Sequence, residues 1–283
     1  MEKFSFELIW KLIKKIKNPL YPLVDFYFPK LIKKDYLIKI RKGPAFWIRP
    51  KKTNIVGDIN ILIELLIENQ YPFKEILKPG YKIVDIGGQA GFFSILASEI
   101  LGKEGKVYSF EPSKSNFKQL TRNMKLNKTS NITSYNKAVI GGSETKVNLF
   151  LSDQNVGAHS LLNRKNSKKN KVESTNLRKF FIESKVKKID LLKIDCEGGE
   201  YDILLKTPRD IFRKIDMIIL EQHITPYTKK YPEKFIIDYL RSNGFSTKIL
   251  RKIYYEKEGK FYIILAKKIN SKNGSHSVRT RSS

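Results

Sequence analysis

A chain of 283 residues with 41% hydrophobic content can bury one large α/β core, and its single cysteine excludes an internal disulfide. No apolar run approaches the ~20 residues of a spanning helix, and the amino terminus lacks signal-peptide form, so a cytoplasmic protein, soluble or peripheral at a membrane, is expected. The formal net charge of +27 admits nucleic acid or anionic lipid as partners. That excess is spread over 1–52, 164–188 and 248–283, which argues against one continuous binding stripe and makes nucleic acid the weaker expectation.

Residues 7–17 place Ile9, Leu12, Ile13 and Ile16 on one helical face, Lys11, Lys14 and Lys15 on the other, and Trp10 at the flank. Two readings stay open: the stripe packs on the main domain, or the helix lies in the interface of an anionic membrane. Pro19, Pro22 and Pro29 predict an irregular segment from Leu20 to Phe28. Leu31 to Arg49 reads as two short strands turning at Gly43-Pro44, which makes 1–52 a basic, partly helical extension ahead of a domain over 53–268. Asp58 to Asn69 has helical periodicity, and Tyr71 to Leu77 leads into a strand.

Tyr81 to Gly91, Y-K-I-V-D-I-G-G-Q-A-G, organises the rest. Ile83, Val84 and Ile86 have strand character, Asp85 closes the run, and Gly87, Gly88 and Gly91 precede helical spacing from Phe92 to Leu101. Glycines at the carboxyl edge of a parallel strand admit a ligand close to the backbone, and the following helix offers unpaired N–H groups. The spacing Gly87-Gly88-Gln89-Ala90-Gly91 is not the G-x-G-x-x-G of a dinucleotide site, and Asp85 beside the turn would repel a pyrophosphate. A cationic nucleoside, S-adenosylmethionine, suits it better. Glu111 ends the next apolar run, where its carboxylate can accept both ribose hydroxyls.

A helix over Lys114–Leu126 and a strand over Asn131–Tyr135 follow, with Asn136 at the strand's end beside the expected adenine. Lys146 to Leu151 alternates as a strand in a small hairpin after Gly141-Gly142. Asp153 to Lys171 is polar and aperiodic and reads as a mobile loop over the site. Thr175 to Ser184 is a predicted helix, Asp190 to Asp195 a strand, and the stretch to Leu205 a helix. Asp216 to Glu221 is the fifth strand and the fourth to end in an acid, followed by Gln222 and His223. A helix from Tyr231 stops at Gly244, Ser246–Leu250 and Lys260–Lys267 close the sheet as antiparallel strands, and 269–283 is an unstructured tail.

Asp85, Glu111, Asp195 and Glu221 therefore converge on one crevice outside the carboxyl ends of the strands. Methyl transfer needs an in-line approach and a group that takes the acceptor's proton; Asp195, Glu197 and His223 are the candidates. Asp195, Glu197, Glu221 and His223 also form a donor set suited to Mg²⁺ or Mn²⁺. His159 reaches in from the loop or stays solvated, His276 belongs to the tail, Cys196 is a packing residue, and Glu200 pairs on its own helix.

V-D-I-G-G-Q-A-G-F-F-S, S-F-E-P-S, L-L-K-I-D-C-E-G-G-E-Y-D-I-L and L-E-Q-H together resemble the FkbM-type S-adenosylmethionine-dependent methyltransferases, over about Thr53 to Lys268. The resemblance implies a class I methyltransferase fold, a doubly wound seven-stranded sheet with one antiparallel strand, and O-methylation of saccharide, glycolipid or natural-product hydroxyls. It puts Asp85, Gly87, Gly91 and Glu111 at the cofactor and Asp195 with Glu197 at the reaction centre. Gly88-Gln89 replaces the Ala-Asn usual in the family, and Cys196 and Gly199 stand where Val and Ala are common. The rival readings are an RNA methyltransferase, against which the Asn/Asp-Pro-Pro-Tyr signature is absent, and a catalytically idle adaptor held at membranes by residues 7–17.

Overall fold

The computed structural model describes residues 6–51, 56–151, 159–162, 168–226, 228, 230–255 and 259–269. The tail with His276, and most of the loop expected between Asp153 and Lys171, lie outside the described residues.

The chain opens with α1 (Phe6–Lys15) and α2 (Leu20–Tyr27), then the hairpin of β1 (Tyr36–Lys39) and β2 (Ala45–Ile48). The helix α2 corrects the irregular segment expected from the prolines. Pro19 is its N-cap and Pro22 falls in its first turn, where the N–H groups have no intrahelical acceptor and a proline removes nothing. Helix α1 turns Leu12 into the core, Ile16 just beyond its end follows, and Phe6, Trp10 and Ile13 stay exposed.

There follow α3 (Asp58–Leu66), the single turn α4 (Phe73–Ile76), β3 (Lys82–Ile86), α5 (Phe92–Leu101), β4 (Lys106–Phe110), α6 (Lys114–Leu126) and β5 (Ile132–Tyr135). Then come β6 (Ala138–Val139), β7 (Lys146–Phe150), β8 (Lys169–Thr175), α7 (Leu177–Ser184), β9 (Ile189–Ile194), α8 (Glu200–Lys206) and α9 (Arg209–Phe212). The last elements are β10 (Ile215–Ile224), α10 (Phe235–Ser242), β11 (Phe245–Tyr255) and β12 (Gly259–Lys268). Strand β8 corrects the expected loop at its carboxyl end: Val172 alternates inward and the strand joins β6 and β7 in a small separate sheet.

The main sheet runs β11-β12-β10-β9-β3-β4-β5. Strands β10, β9, β3, β4 and β5 pair in parallel, and β12 pairs antiparallel with both β10 and β11. This is the doubly wound class I methyltransferase sheet with its one antiparallel strand. Because strand side chains alternate between faces, Ile83, Val107, Leu191, Ile219 and Ile263 enter the apolar layer beneath α3 and α5, while Val84, Leu192, Ile218 and Ile264 enter the layer beneath α7, α8 and α10. The first layer also holds Leu12, Ile16, Phe26, Ile38, Phe46 and Ile48, so the described part of 1–52 shares one core with the sheet. Asn123 of α6 and its C-cap Asn127 accept the backbone N–H groups of Trp47 and Ala45, which fixes β2 against that helix.

One consequence for the site comes from unequal strand lengths. Parallel pairing of β10 with β9 stops at Leu220↔Ile194, whereas pairing with β12 continues to Ile224↔Lys260. Glu221, Gln222 and His223 thus stand on an overhang beyond the parallel sheet's edge. The expected strand end at Glu221 is corrected to Ile224, and alternation turns Glu221 and His223 to one side and Gln222 to the other.

Candidate active site

A cavity of about 550 Å³ opens at the carboxyl ends of β3, β4, β9 and β10, within the size range of nucleoside and cofactor sites. Of the residues expected at the site, Gly87, Gly88, Gln89, Glu111, Asp195, Glu197, Glu221 and His223 line it, and so does His159. Asp85, Gly91 and Asn136, also expected at the cofactor, are not among the residues that line it. The register pairs Asp85 with Lys193 of β9, so its fully buried carboxylate faces that ammonium at 3.0 Å and accepts the Ser94 hydroxyl at 2.6 Å. Gly91 is the left-handed N-cap of α5, and Asn136 donates to the carbonyls of Glu111 and Pro112.

The turn after β3 is shaped by close backbone approach. Gly87 has φ 87°, and a Cβ there would stand 1.8 Å from the Asp195 carbonyl oxygen; a Cβ on Gly88 would stand 2.3 Å from Ser109 Oγ. Gln89 takes a left-handed φ of 47°, and its backbone N–H donates to Glu111 Oε2 at 2.9 Å. Ser113 N–H donates to the other Glu111 oxygen at 2.8 Å. Each oxygen keeps a further lone pair for a ribose hydroxyl. Burial pushes the Glu111 carboxyl up to about 7 despite these two donors. The Gln89 side chain donates to Asp58 Oδ1 at 3.0 Å, and Asp58 in turn holds the Arg49 guanidinium through both its oxygens at 2.7 and 2.9 Å. The chain ahead of the sheet is thereby tied to the glycine turn.

At the other end, Asp195 follows β9 directly. Tyr71 donates its hydroxyl to Asp195 Oδ2 at 3.2 Å and Lys193 stands 3.5 Å from the same oxygen. Burial opposes the Lys193 charge, but Asp85 and Asp195 together hold its ammonium above the usual lysine range. Left-handed Glu197 (φ 56°) and Gly198 (φ 98°) reverse the chain into α8, and Ser160 Oγ donates to the Glu197 carbonyl at 2.6 Å, so the described part of the loop packs on this turn. His223 is 2% exposed; its Nδ1 lies 2.5 Å from Glu200 Oε1, and its Nε2 lies 3.5 Å from Glu221 Oε1 and 3.7 Å from Glu197 Oε2. Burial alone would lower the imidazole, yet Glu200, Glu197 and Glu221 outweigh it and hold it well above its ordinary value. Burial and then Asp195 push Glu221 well above the carboxylate range. Burial likewise raises the Cys196 thiol, so it is not a thiolate nucleophile.

Sequence reasoning missed Asp58, Gln70, Tyr71 and Lys193, and gave Glu200 a role on its own helix where it reaches His223 instead. Lys193 carried a signal: a lysine inside the apolar run of a central parallel strand has no solvent to reach and must find a carboxylate. The other four act through contacts 31 to 151 residues away in sequence, or 23 for Glu200, which no local pattern displays.

The residues fit the cofactor. A glycine turn and a doubly seated carboxylate face the β3–β4 end, a net excess of carboxylates suits a sulfonium, and the cavity is large enough to hold an adenosyl group. The Methyltransferase FkbM domain family matches residues 85–247, more than half of the chain. Methyltransferase 1 of Beauveria bassiana (strain ARSEF 2860) is 23% identical over 206 residues, 66% of this chain and 80% of that protein. Among solved structures, precorrin-6y C5,15-methyltransferase from Geobacter metallireducens is 15% identical with a TM-score of 0.43, covering 70% of this chain and 85% of that one. An S-adenosylmethionine-dependent methyltransferase from Aquifex aeolicus is 15% identical with a TM-score of 0.39, covering 72% and 91%. With the family matched from Asp85 through the glycine turn, Glu111 and the Asp195–His223 cluster to Thr247, the chain belongs to the FkbM methyltransferases and is an S-adenosylmethionine-dependent enzyme of that family.

Proposed function

We propose that this methyltransferase acts on a hydroxyl oxygen of a saccharide or glycolipid. The observation that carries the reading is the grouping of Asp195, Glu197, Glu221 and His223 at the end of the cavity away from Glu111. Bound S-adenosylmethionine supplies an electrophilic methyl group on a sulfonium. Gly87, Gly88 and Gln89 would hold it along the turn and Glu111 would take its ribose hydroxyls. Asp195 orients the acceptor hydroxyl, with Tyr71 and Lys193 fixing the carboxylate. Glu197, whose side chain is 20% exposed, receives the acceptor's proton and passes it to solvent.

The lining charges favour a neutral, hydroxyl-rich acceptor over a polyanion. Glu64, Glu68, Glu111, Asp195, Glu197 and Glu221 face Lys137, Lys193, Arg251 and the raised His223, so the cavity presents no positive excess to a polyanion even though the protein as a whole is basic. A transfer assay with radiolabelled cofactor and fractionated native glycans and lipids tests this. Wild type should label one glycan or glycolipid fraction and Asp195→Ala none; incorporation into RNA alone would overturn it.

A lipid-linked acceptor is favoured by a second observation. Phe6, Trp10, Leu20, Phe28 and Leu31 are each more than half exposed on a segment rich in lysine, which is the composition of an interfacial surface. No helix among the described residues is long and apolar enough to cross a membrane. Flotation with vesicles containing anionic lipid should retain the wild type and lose Phe6→Asp/Trp10→Asp; equal flotation of both would remove this reading.

A further inference from the structure

We propose that Asp195, Glu221 and His223 form a divalent-cation site at the acceptor end of the cavity. One ligand atom from each lies within 4.8 Å of the other two. His223 Nε2 and Glu221 Oε1 are 3.5 Å apart, close to the separation of two neighbouring ligands that each stand about 2.1 Å from one ion. The cluster is more than a grouping of acids, because each ligand is aimed by a second residue. Glu200 Oε1, 2.5 Å from Nδ1, keeps a proton on that nitrogen, so an ion that displaces the other ring proton is met by Nε2. Gln70 donates to Glu221 Oε2 at 2.9 Å, leaving Oε1 toward the imidazole. Tyr71 and Lys193 both engage Asp195 Oδ2, leaving Oδ1.

A second observation points to a cation. The buried His223 ring turns Nε2 toward two carboxylates at 3.5 and 3.7 Å, ion-pair separations wider than the roughly 2.7–2.9 Å of a charge-assisted hydrogen bond. One nitrogen and two carboxylate oxygens suit Mn²⁺, with Mg²⁺ held more weakly because it prefers oxygen alone.

The chemistry rests on the hydroxyl-acceptor reading; the site itself does not. An ion held by Asp195, Glu221 and His223 would lower the pKa of an acceptor hydroxyl brought to it. An oxygen lone pair forms the new C–O bond as the C–S bond breaks, its electron pair stays on sulfur to give a neutral thioether, and the hydroxyl proton goes to Glu197.

The test is Mn²⁺ binding to the full chain by titration calorimetry and electron paramagnetic resonance, with circular dichroism and binding of the demethylated cofactor as controls for folding. One saturable site per chain is expected, weakened at least tenfold in both His223→Gln and Glu221→Gln and roughly 10- to 100-fold in Glu200→Gln. Absence of a saturable site, or binding indifferent to both His223→Gln and Glu221→Gln, overturns the assignment. Saccharide methylation that survives chelation overturns the ion's part in the transfer and leaves the acceptor reading standing. Mn²⁺ bound as expected without transfer to any hydroxyl supports the site and counts against the acceptor reading.

Discussion

At the scale of single residues, Glu111 has the most testable chemistry. Its carboxyl is raised to about 7 by burial, so the folded protein binds a proton there more tightly than the unfolded chain does. The stability from that bound proton is complete below the unfolded value near 4.5 and is lost as pH rises through 7. Cofactor binding runs the other way, because two ribose hydroxyls need acceptor oxygens. Affinity for the demethylated cofactor should rise between pH 6 and 8, roughly tenfold per unit well below 7, and titration calorimetry of Glu111→Gln should show a flat, weaker profile. Gly87 allows a second check. Its left-handed φ and the 1.8 Å approach of a Cβ to the Asp195 carbonyl predict that Gly87→Ala loses more than ~2 kcal/mol in urea melts. Both residues were visible in the sequence as types at strand ends. Asp85 was visible too, but its partner was not: the β3–β9 register gives it to Lys193 and withdraws it from the cavity.

At the scale of elements, the junction of β2, α3 and the glycine turn decides how the leading segment meets the site. Asp58 is fully buried against a partly buried Arg49 and also accepts from Gln89. Removing one partner of a buried pair strands the other charge, so Asp58→Ala should cost about 3 kcal/mol. Arg49→Met in the same chain should recover part of that in denaturant unfolding, since no guanidinium is then left unpaired. The overhang of β10 is the other decisive element. Its apolar run was legible up to Leu220, but the continuation through polar Glu221, Gln222 and His223 depends on pairing with β12 some forty residues later. The helix at Leu20 escaped for a different reason: prolines at an N-terminus look the same in sequence as prolines that break a helix, and only the position of the first turn separates the cases.

At the scale of the whole molecule, a net charge of +27 surrounds a cavity whose lining includes six carboxylate side chains. Long-range attraction for polyanions and local recognition therefore oppose each other. RNA should bind the protein without sequence preference and release steeply between about 50 and 200 mM salt, yet acquire no methyl groups; filter binding with labelled cofactor checks both halves. The succession of the main-sheet strands along the chain, the glycine turn and the acids at strand ends followed from local composition and period, because hydrophobic alternation and turn chemistry are short-range properties. Which carboxylates share the cavity, which one is spent on a buried lysine, and which residues aim His223 and Glu221 were decided only when distant strands took their register. Electrostatic pairing in a low-dielectric core acts over a few ångströms of space, whatever the distance along the chain.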